Sequence, residues 1–216
     1  MGDLRILLGD DHAILRQGLR KILEDRRGWT VVAESANGRD VVRDALALQP
    51  DVAVLDVAMP LLNGIEATRQ IVRRAPDVKV LVLSMHSDEA YVMQAMQAGA
   101  KGYVLKESAA AELLDAVAAV AAGKAFFSPA VAELMLDDYV RTRANKGIVD
   151  RYDLLSERER EVLQLVAEGL SSKQIADVLS ISPATVETHR THVLQKLALR
   201  NTAEVVLFAA RRGIIS

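Results

Sequence analysis

Three carboxylates near the start of the chain stand at the ends of short apolar runs. Asp10 and Asp11 follow the run 4–8, and Asp56 ends the run that begins at Val52. Such runs are typical of strands that are buried on both faces of a parallel sheet, and open α/β sheets place their ligands at the carboxyl ends of these strands. A lone Asp there is more often a cap of the next turn or helix. The function of Asp56 therefore depends on what the other strand ends carry.

Two further predicted strands also end in polar side chains, Ser84 and Lys106. Taken alone, these would be a turn residue and a surface charge, but their coincidence with the acidic strand ends favours one shared site. Clustered carboxylates repel one another unless a cation lies between them, and their oxygens suit Mg²⁺. With the ammonium of Lys106 and the hydroxyl of Ser84, the set can stabilise a phosphoryl group, and Asp56 is the expected nucleophile.

Five predicted strands alternate with five predicted helices over residues 1–124. This pattern predicts an α/β fold with a doubly wound five-stranded parallel sheet, and the length favours the flavodoxin-like strand order over the dinucleotide-binding order. The turn Gly9-Asp10-Asp11-His12 lacks the glycines of a dinucleotide site, and its charge would repel a flavin phosphate. We interpret His12 as a surface or capping residue. Ser108 is expected to cap the alanine-rich fifth helix.

The composition is that of a globular protein. The 216 residues include no cysteine, and 27 basic against 29 acidic residues give a net charge of −2. The absence of cysteine excludes a disulfide framework and a thiolate metal site. The small negative net charge gives no sign of an overall electrostatic attraction to nucleic acid. Without a signal peptide core or a long apolar run, we expect a cytoplasmic protein without membrane contact.

The pattern changes after Ala125. A helix over about 128–143 and a polar segment over 141–147 predict a helical linker at 125–152, and only helices are predicted in a separate all-α four-helix domain at 153–216. Ser156 and Glu159 form a capping box at its first helix, and Thr202 is expected to cap its last. Residues 172–179 and Pro183–Leu197 form a helix-turn-helix, which composition alone does not distinguish from a protein-binding bundle.

Several motifs of the first domain occur together in one family. They are Asp10-Asp11, Asp56 with Met59-Pro60 and Asn63-Gly64, Ser84, and Gly102-Tyr103-Val104-Leu105-Lys106. With them, residues 3 to about 123 resemble the receiver domain of two-component response regulators. The resemblance implies phosphoryl transfer from a sensor histidine kinase to Asp56.

The same resemblance implies individual roles. Mg²⁺ would be held by Asp10, Asp11, Asp56 and the backbone carbonyl of Ala58, Ser84 would swing toward the phosphoryl group, and Tyr103 would turn inward behind it. The chain departs from the family at Leu61, where glycine is frequent, and at Glu107, where proline is frequent. Ala58 and His86 would border the path of a hydrolytic water, so we hypothesise that His86 tunes the lifetime of the phosphoryl-aspartate.

The C-terminal motifs resemble a second family, the LuxR/NarL-type DNA-binding domain. The matching stretches are Leu155–Leu163, Glu168–Leu170, Lys173–Ala176 and Ile181–Arg190. The resemblance implies that Pro183–Leu197 is a recognition helix in the major groove and that the last helix pairs two copies on double-stranded DNA. The expected base-facing residues are Glu187, Thr188 and Thr191, and those expected nearer the backbone are Lys173, Thr185, His189, Arg190 and Lys196.

Together these features predict a response regulator transcription factor and not an enzyme beyond Mg²⁺-dependent self-phosphorylation and autodephosphorylation. Its expected partners are a sensor histidine kinase, promoter half-sites, RNA polymerase and, on activation, a second copy of the chain. Phosphohydrolases that form an aspartyl-phosphate are an alternative, but they carry a second Asp at the position of Ala58. A receiver whose helical module binds protein is another.

Overall fold

The computed structural model describes residues 3–85, 89–133 and 151–215, and the chain divides into two compact units, 1–144 and 145–216. The first unit contains a parallel sheet in the order β2-β1-β3-β4-β5-β6. Its strands are β1 Leu4–Gly9, β2 Trp29–Ser35, β3 Val52–Asp56, β4 Lys79–Ser84, β5 Gly102–Leu105 and β6 Phe126–Phe127. The first five have the flavodoxin-like order that the sequence predicts.

The sixth strand was not predicted from the sequence. It pairs in parallel with β5, with Phe126 opposite Gly102 and Phe127 opposite Tyr103. Two residues are too few to show the periodicity by which a strand is recognised, and both phenylalanines are only half-buried.

Five helices cover the two faces of this sheet: α1 Ala13–Glu24, α2 Gly38–Leu48, α3 Gly64–Arg74, α4 Glu89–Gln97 and α5 Ala109–Ala121. A hydrophobic core lies on each face of the sheet, and successive residues of a strand belong to opposite cores because side chains alternate between the two faces. Leu7 and Leu55 pack with residues of α2, α3 and α4, whereas Ile6 and Val54 pack with residues of α1 and α5. Burial on both faces explains the continuous apolar runs of the sequence.

One predicted cap is wrong, and another makes no capping hydrogen bond. The last helix is capped by Asn201, whose side chain accepts a hydrogen bond from the N–H of Glu204 at 2.9 Å, so Thr202 is its first helical residue. Ser108 already has helical backbone angles, and its hydroxyl donates to the carbonyl of Leu105 instead of capping α5. At the last helix, the position of the turn decides which of two suitable residues caps it, whereas Ser108 stands at the cap position of α5 without making the capping hydrogen bond.

Residues 129–133 are helical and form the described part of α6; the rest of the predicted 128–143 helix and the polar segment 141–147 lie outside the described residues. In the second unit a 3-10 turn, Arg151–Leu154, precedes α7 Glu157–Ala167, α8 Ser172–Leu179, α9 Pro183–Leu197 and α10 Thr202–Arg211. The Ser156–Glu159 capping box is present, and Ser182 caps α9. Within the described parts of the chain, no helix is long and apolar enough to cross a membrane.

Gly64 sets the distance between α3 and the end of β3. Its N–H donates to the carbonyl of Val57 at 2.8 Å, and a Cβ added to it would lie 1.8 Å from the backbone oxygen of Asp56. Asn63 caps the same helix by accepting from the N–H of Glu66. Only a glycine therefore allows α3 to begin this close to the strand end that presents Asp56.

We expect Gly64→Ala to lower the free energy of unfolding by at least the roughly 1–3 kcal/mol that overpacking costs, because the backbone of Asp56 must move away from the new methyl group. Gly18→Ala is the matched control, since a Cβ there meets nothing within 4 Å and alanine is the better helix former inside α1. Urea unfolding followed by the fluorescence of the single tryptophan, Trp29, measures both. Equal stability of the two variants would contradict the close approach.

Candidate functional site

The register of the sheet brings the polar strand ends together. Gly9 lies opposite Leu55, so the next residues, Asp10 and Asp56, are neighbours at the carboxyl edge. Ser84 ends β4 opposite Leu105, and Lys106 follows directly. The N–H of Lys106 donates to the carbonyl of Ser84 at 2.8 Å and so fixes the turn that carries the ammonium.

The centre of the site is a buried cation between two buried carboxylates. Lys106 Nζ lies 2.8 Å from Asp10 Oδ2 and 2.7 Å from Asp56 Oδ2, and all three side chains are at most 5% exposed. Burial alone would lower the pKa of Lys106, but its contacts with Asp10 and Asp56 outweigh burial and raise that pKa above its usual value. The ammonium therefore stays charged at neutral pH.

Asp56 is the less stabilised member of this group. Burial raises the pKa of its carboxyl above the usual value, and the charge of Asp10 adds to the rise. The contact with Lys106 and the backbone N–H of Ala58 lower the pKa only in part. An ionised oxygen that is incompletely compensated is suited to attack an electrophile or to bind a cation.

The acidic edge continues toward the surface with Asp11 and His12. His12 Nδ1 lies 2.7 Å from Asp11 Oδ1 and 3.2 Å from Asp10 Oδ1. One ligand atom from each of Asp10, Asp11, His12 and Asp56 lies within 4.8 Å of the others. His12 stands at the cap position of α1, as expected, but its side chain makes no capping hydrogen bond.

One contact near the site was not predicted from the sequence. The guanidinium of Arg16 donates to the backbone carbonyl of Asp10 and pairs with Glu34 at 3.2 Å. It thereby ties the turn after β1 to the end of β2. No helical or strand periodicity relates Arg16 to Asp10. The contact becomes apparent only once β1 and β2 are paired, because Arg16 contacts residues at the ends of both strands.

The remaining predicted residues of this site have different surroundings. Tyr103 is fully buried among the residues that pack under α3 and α4, and Ser84 is also fully buried. Leu61 has a backbone φ of +67°, in the left-handed region, which explains why glycine suits this position. Ala58 is half-buried in the turn after β3. His86 lies outside the described residues.

In the second unit, α9 buries Val186, Val193 and Leu197 and leaves a polar face. The residues predicted to contact DNA on this helix and on α8 are exposed or half-buried: Lys173, Thr185, Glu187, Thr188, His189, Arg190, Thr191 and Lys196. The hydroxyls of Thr188 and Thr191 donate back to the helix carbonyls of Ala184 and Glu187.

Two of the basic side chains are held by contacts inside the unit. Arg190 donates to the hydroxyls of Ser172 at 2.8 Å and Thr202 at 3.3 Å. Lys196 Nζ lies 2.6 Å from Glu159 Oε2 on α7. Arg190 therefore contacts both α8 and α10, whereas Lys196 contacts α7.

Known families match both units. Residues 6–118 match the response regulator receiver domain, and residues 153–209 match the bacterial regulatory proteins of the luxR family. The chain belongs to the response regulators. It combines a receiver domain with a LuxR-type DNA-binding domain, as the sequence motifs predict, and the fold class is confirmed as well.

The similarity extends along the whole response regulator. The transcriptional regulatory protein DegU of Brevibacillus brevis is 37% identical over 223 residues, which cover 97% of this chain and 94% of DegU. The crystal structure of the response regulator ChrA, from a heme-sensing two-component system, covers 100% of both chains at 37% identity with a TM-score of 0.54. A complex of the response regulator RcsB with DNA covers 97% of this chain and 98% of RcsB, at 28% identity and a TM-score of 0.60.

Folding raises the pKa of Asp56 above the unfolded value of about 3.9. Ionisation of Asp56 therefore lowers the free energy of unfolding, and the loss grows as the pH rises from about 4 through the folded pKa. We expect Asp56→Asn to raise the free energy of unfolding at pH 7 in metal-free buffer. The gain should vanish below about pH 4, where Asp56 is protonated in both states.

Urea unfolding of the receiver domain, followed by Trp29 fluorescence at a series of pH values, measures this difference. Asp77→Asn is the control, because Asp77 is an exposed carboxylate of the same unit. A gain of equal size at low and neutral pH would show that burial of the Asp56 charge is not its cause.

Proposed function

We propose that Asp56 accepts a phosphoryl group from the phosphohistidine of a sensor histidine kinase. The observation that carries this proposal is the buried Asp56 carboxylate, 2.7 Å from Lys106 and beside Asp10. In the transfer, a carboxylate oxygen of Asp56 forms a bond to phosphorus while the phosphorus–nitrogen bond breaks and the imidazole leaves. Lys106 supports the negative charge on the phosphoryl oxygens, and the hydroxyl of Ser84 donates to one of them.

The donor set supports Mg²⁺ as the cofactor. Oxygens of Asp10, Asp11 and Asp56 come within 4.8 Å of one another, and oxygen ligands of this kind are those that Mg²⁺ prefers. These carboxylates, with the backbone carbonyl of Ala58, would hold the ion, which supplies positive charge to the phosphoryl oxygens. The same site gives the protein Mg²⁺-dependent self-phosphorylation from small donors and autodephosphorylation.

Phosphorylation then biases the receiver domain between two states. Ser84 moves toward the phosphoryl group, and Tyr103 occupies the buried space behind it. We assign the receiver to residues 1–124, the helical linker to 125–152 and the DNA-binding domain to 153–216. The linker couples the switch to dimerisation and to DNA binding in the cytoplasm.

The exposed face of α9 is the proposed recognition surface for double-stranded promoter DNA. Glu187, Thr188 and Thr191 face the bases, since a carboxylate can accept from cytosine and a threonine methyl can contact thymine. The residues that face phosphates are Lys173, Thr185, His189, Arg190 and Lys196. The RcsB–DNA complex supports DNA as the ligand of this domain. We propose α10 as the homodimer contact. RNA polymerase is the proposed partner at the promoter.

Incubation with a small phosphodonor tests the receiver half of the proposal. We expect one added phosphoryl group by intact-mass spectrometry, dependent on Mg²⁺ and lost in Asp56→Asn. Asp77→Asn is again the control and should be phosphorylated like the wild type. Retention of the group in Asp56→Asn would place the phosphorylation elsewhere.

A DNA mobility shift at several salt concentrations tests the other half. Phosphorylation should tighten binding by about 5–150-fold, the range of common allosteric couplings, and affinity should fall steeply with salt because phosphate contacts release counterions. Lys173→Ala should reduce the salt dependence, whereas Lys101→Ala in the receiver should not. Salt-independent association, or none, would favour a helical module that binds protein.

We also propose that Ala58 and His86 set the lifetime of the phosphoryl group. The methyl side chain of Ala58 cannot orient a water molecule, whereas the imidazole of His86 can. We expect His86→Ala to change the rate of autodephosphorylation in a pH-dependent way near neutrality, where imidazole titrates. Equal rates in wild type and variant from about pH 6 to pH 8 would contradict this role.

A further inference from the structure

Glu159 offers one carboxylate oxygen to a cluster at the edge of the proposed DNA-binding face of α9. Its side chain is 4% exposed. Oε2 accepts from the backbone N–H of Ser156 at 2.7 Å and contacts Lys196 at 2.6 Å. Oε1 instead lies 3.5 Å from Nδ1 of His192. The capping box of α7 thus fixes the carboxylate and directs Oε1 toward α9.

Two histidines of α9 lie near this carboxylate. His189 and His192 are three residues apart, so they share one face of the helix. Nδ1 of His189 is buried and has no hydrogen-bond partner among the described residues. A buried polar atom of this kind is uncommon and points to a ligand or water that satisfies it.

The spacing of the three groups suits a tetrahedral metal ion. One ligand atom from each of Glu159, His189 and His192 lies within 4.8 Å of the others. Tetrahedral Zn²⁺ with bonds of about 2.0–2.2 Å separates its ligands by roughly 3.4 Å. The 3.5 Å between Glu159 Oε1 and His192 Nδ1 already matches this separation, and the ligand atom of His189 lies within 4.8 Å of both residues' ligand atoms.

We propose that Glu159, His189 and His192 form a binding site for Zn²⁺, with water as the fourth ligand. Two imidazoles and one carboxylate are donors that Zn²⁺ accepts, whereas Mg²⁺ prefers sites made of oxygen alone. The bound ion joins α7 to α9, because Glu159 belongs to one helix and both histidines to the other. It also fixes the ring of His189 against α7.

Lys196 opposes this site. Its ammonium occupies Oε2 of the same carboxylate and repels a second cation nearby. Zn²⁺ bound to Glu159 would weaken the ion pair between Glu159 and Lys196, so the metal ion and the ammonium compete for this carboxylate. Removal of the ammonium should therefore tighten zinc binding.

Calorimetric titration of the full chain with Zn²⁺ tests the proposal. A millimolar excess of Mg²⁺ is present throughout, so that the carboxylates of the receiver are occupied. We expect one Zn²⁺ per chain in the wild type. His192→Gln should weaken binding by more than the roughly 10–100-fold that loss of an outer-shell partner costs, since it removes a direct ligand.

Two variants act as controls. His12→Gln removes the histidine that lies beside the receiver carboxylates and should leave the titration unchanged. Lys196→Met should tighten binding severalfold. Circular dichroism of His192→Gln checks that the exposed substitution leaves the helices intact, and the visible spectrum of bound Co²⁺ reports nitrogen ligands in a tetrahedral site.

Equal Zn²⁺ affinity in the wild type and His192→Gln would overturn the proposal, as would the absence of binding to the wild type. Loss of binding in His12→Gln would place the ion in the receiver and would also overturn it. None of these outcomes bears on phosphorylation of Asp56, because the readout is metal affinity alone.

Discussion

The ammonium of Lys106 between Asp10 and Asp56 is the interaction on which the receiver domain depends. The two carboxylates share one ammonium, all three groups are nearly inaccessible to solvent, and loss of the ammonium would leave both negative charges uncompensated. Three strands must therefore end in register at one edge. The close start of α3 at Gly64 belongs to the same requirement, because it fixes the backbone of Asp56. Burial and the neighbouring carboxylate raise the pKa of Asp56, and Lys106 offsets the rise only in part.

Much of this arrangement could be predicted from the sequence, because strand ends and helix starts carry local signals. The apolar runs at 4–8 and 52–55 predicted buried parallel strands, and the alternation of strands with helices predicted the strand order. Parallel pairing then brings Asp10, Asp56 and Lys106 to one edge without further information. The Ser156–Glu159 capping box was equally visible, since it depends on two residues at a fixed spacing.

The features that the sequence did not predict arise from tertiary contacts or from very short elements. β6 has two residues and exists only because β5 offers an edge to pair with. Arg16 reaches the carbonyl of Asp10 across a turn, so no periodic pattern marks it. Thr202 stands beside Asn201, and the extended backbone of Asn201 decides which of them caps the helix. The pairing of Lys196 with Glu159 joins helices that are distant in the chain, and for this reason the lysine was predicted only as a phosphate contact.

The short strand β6 has a mechanical consequence. It covers part of the edge of β5, which would otherwise present unpaired backbone groups. The N–H of Ser128, just after β6, donates to the carbonyl of Tyr103 at 3.2 Å, and Lys106 directly follows the strand that carries Tyr103. The segment 126–128 is thus hydrogen-bonded to β5, the strand that carries Tyr103 and leads to Lys106. Any displacement of β5 must therefore also displace β6 and Ser128 or break their hydrogen bonds.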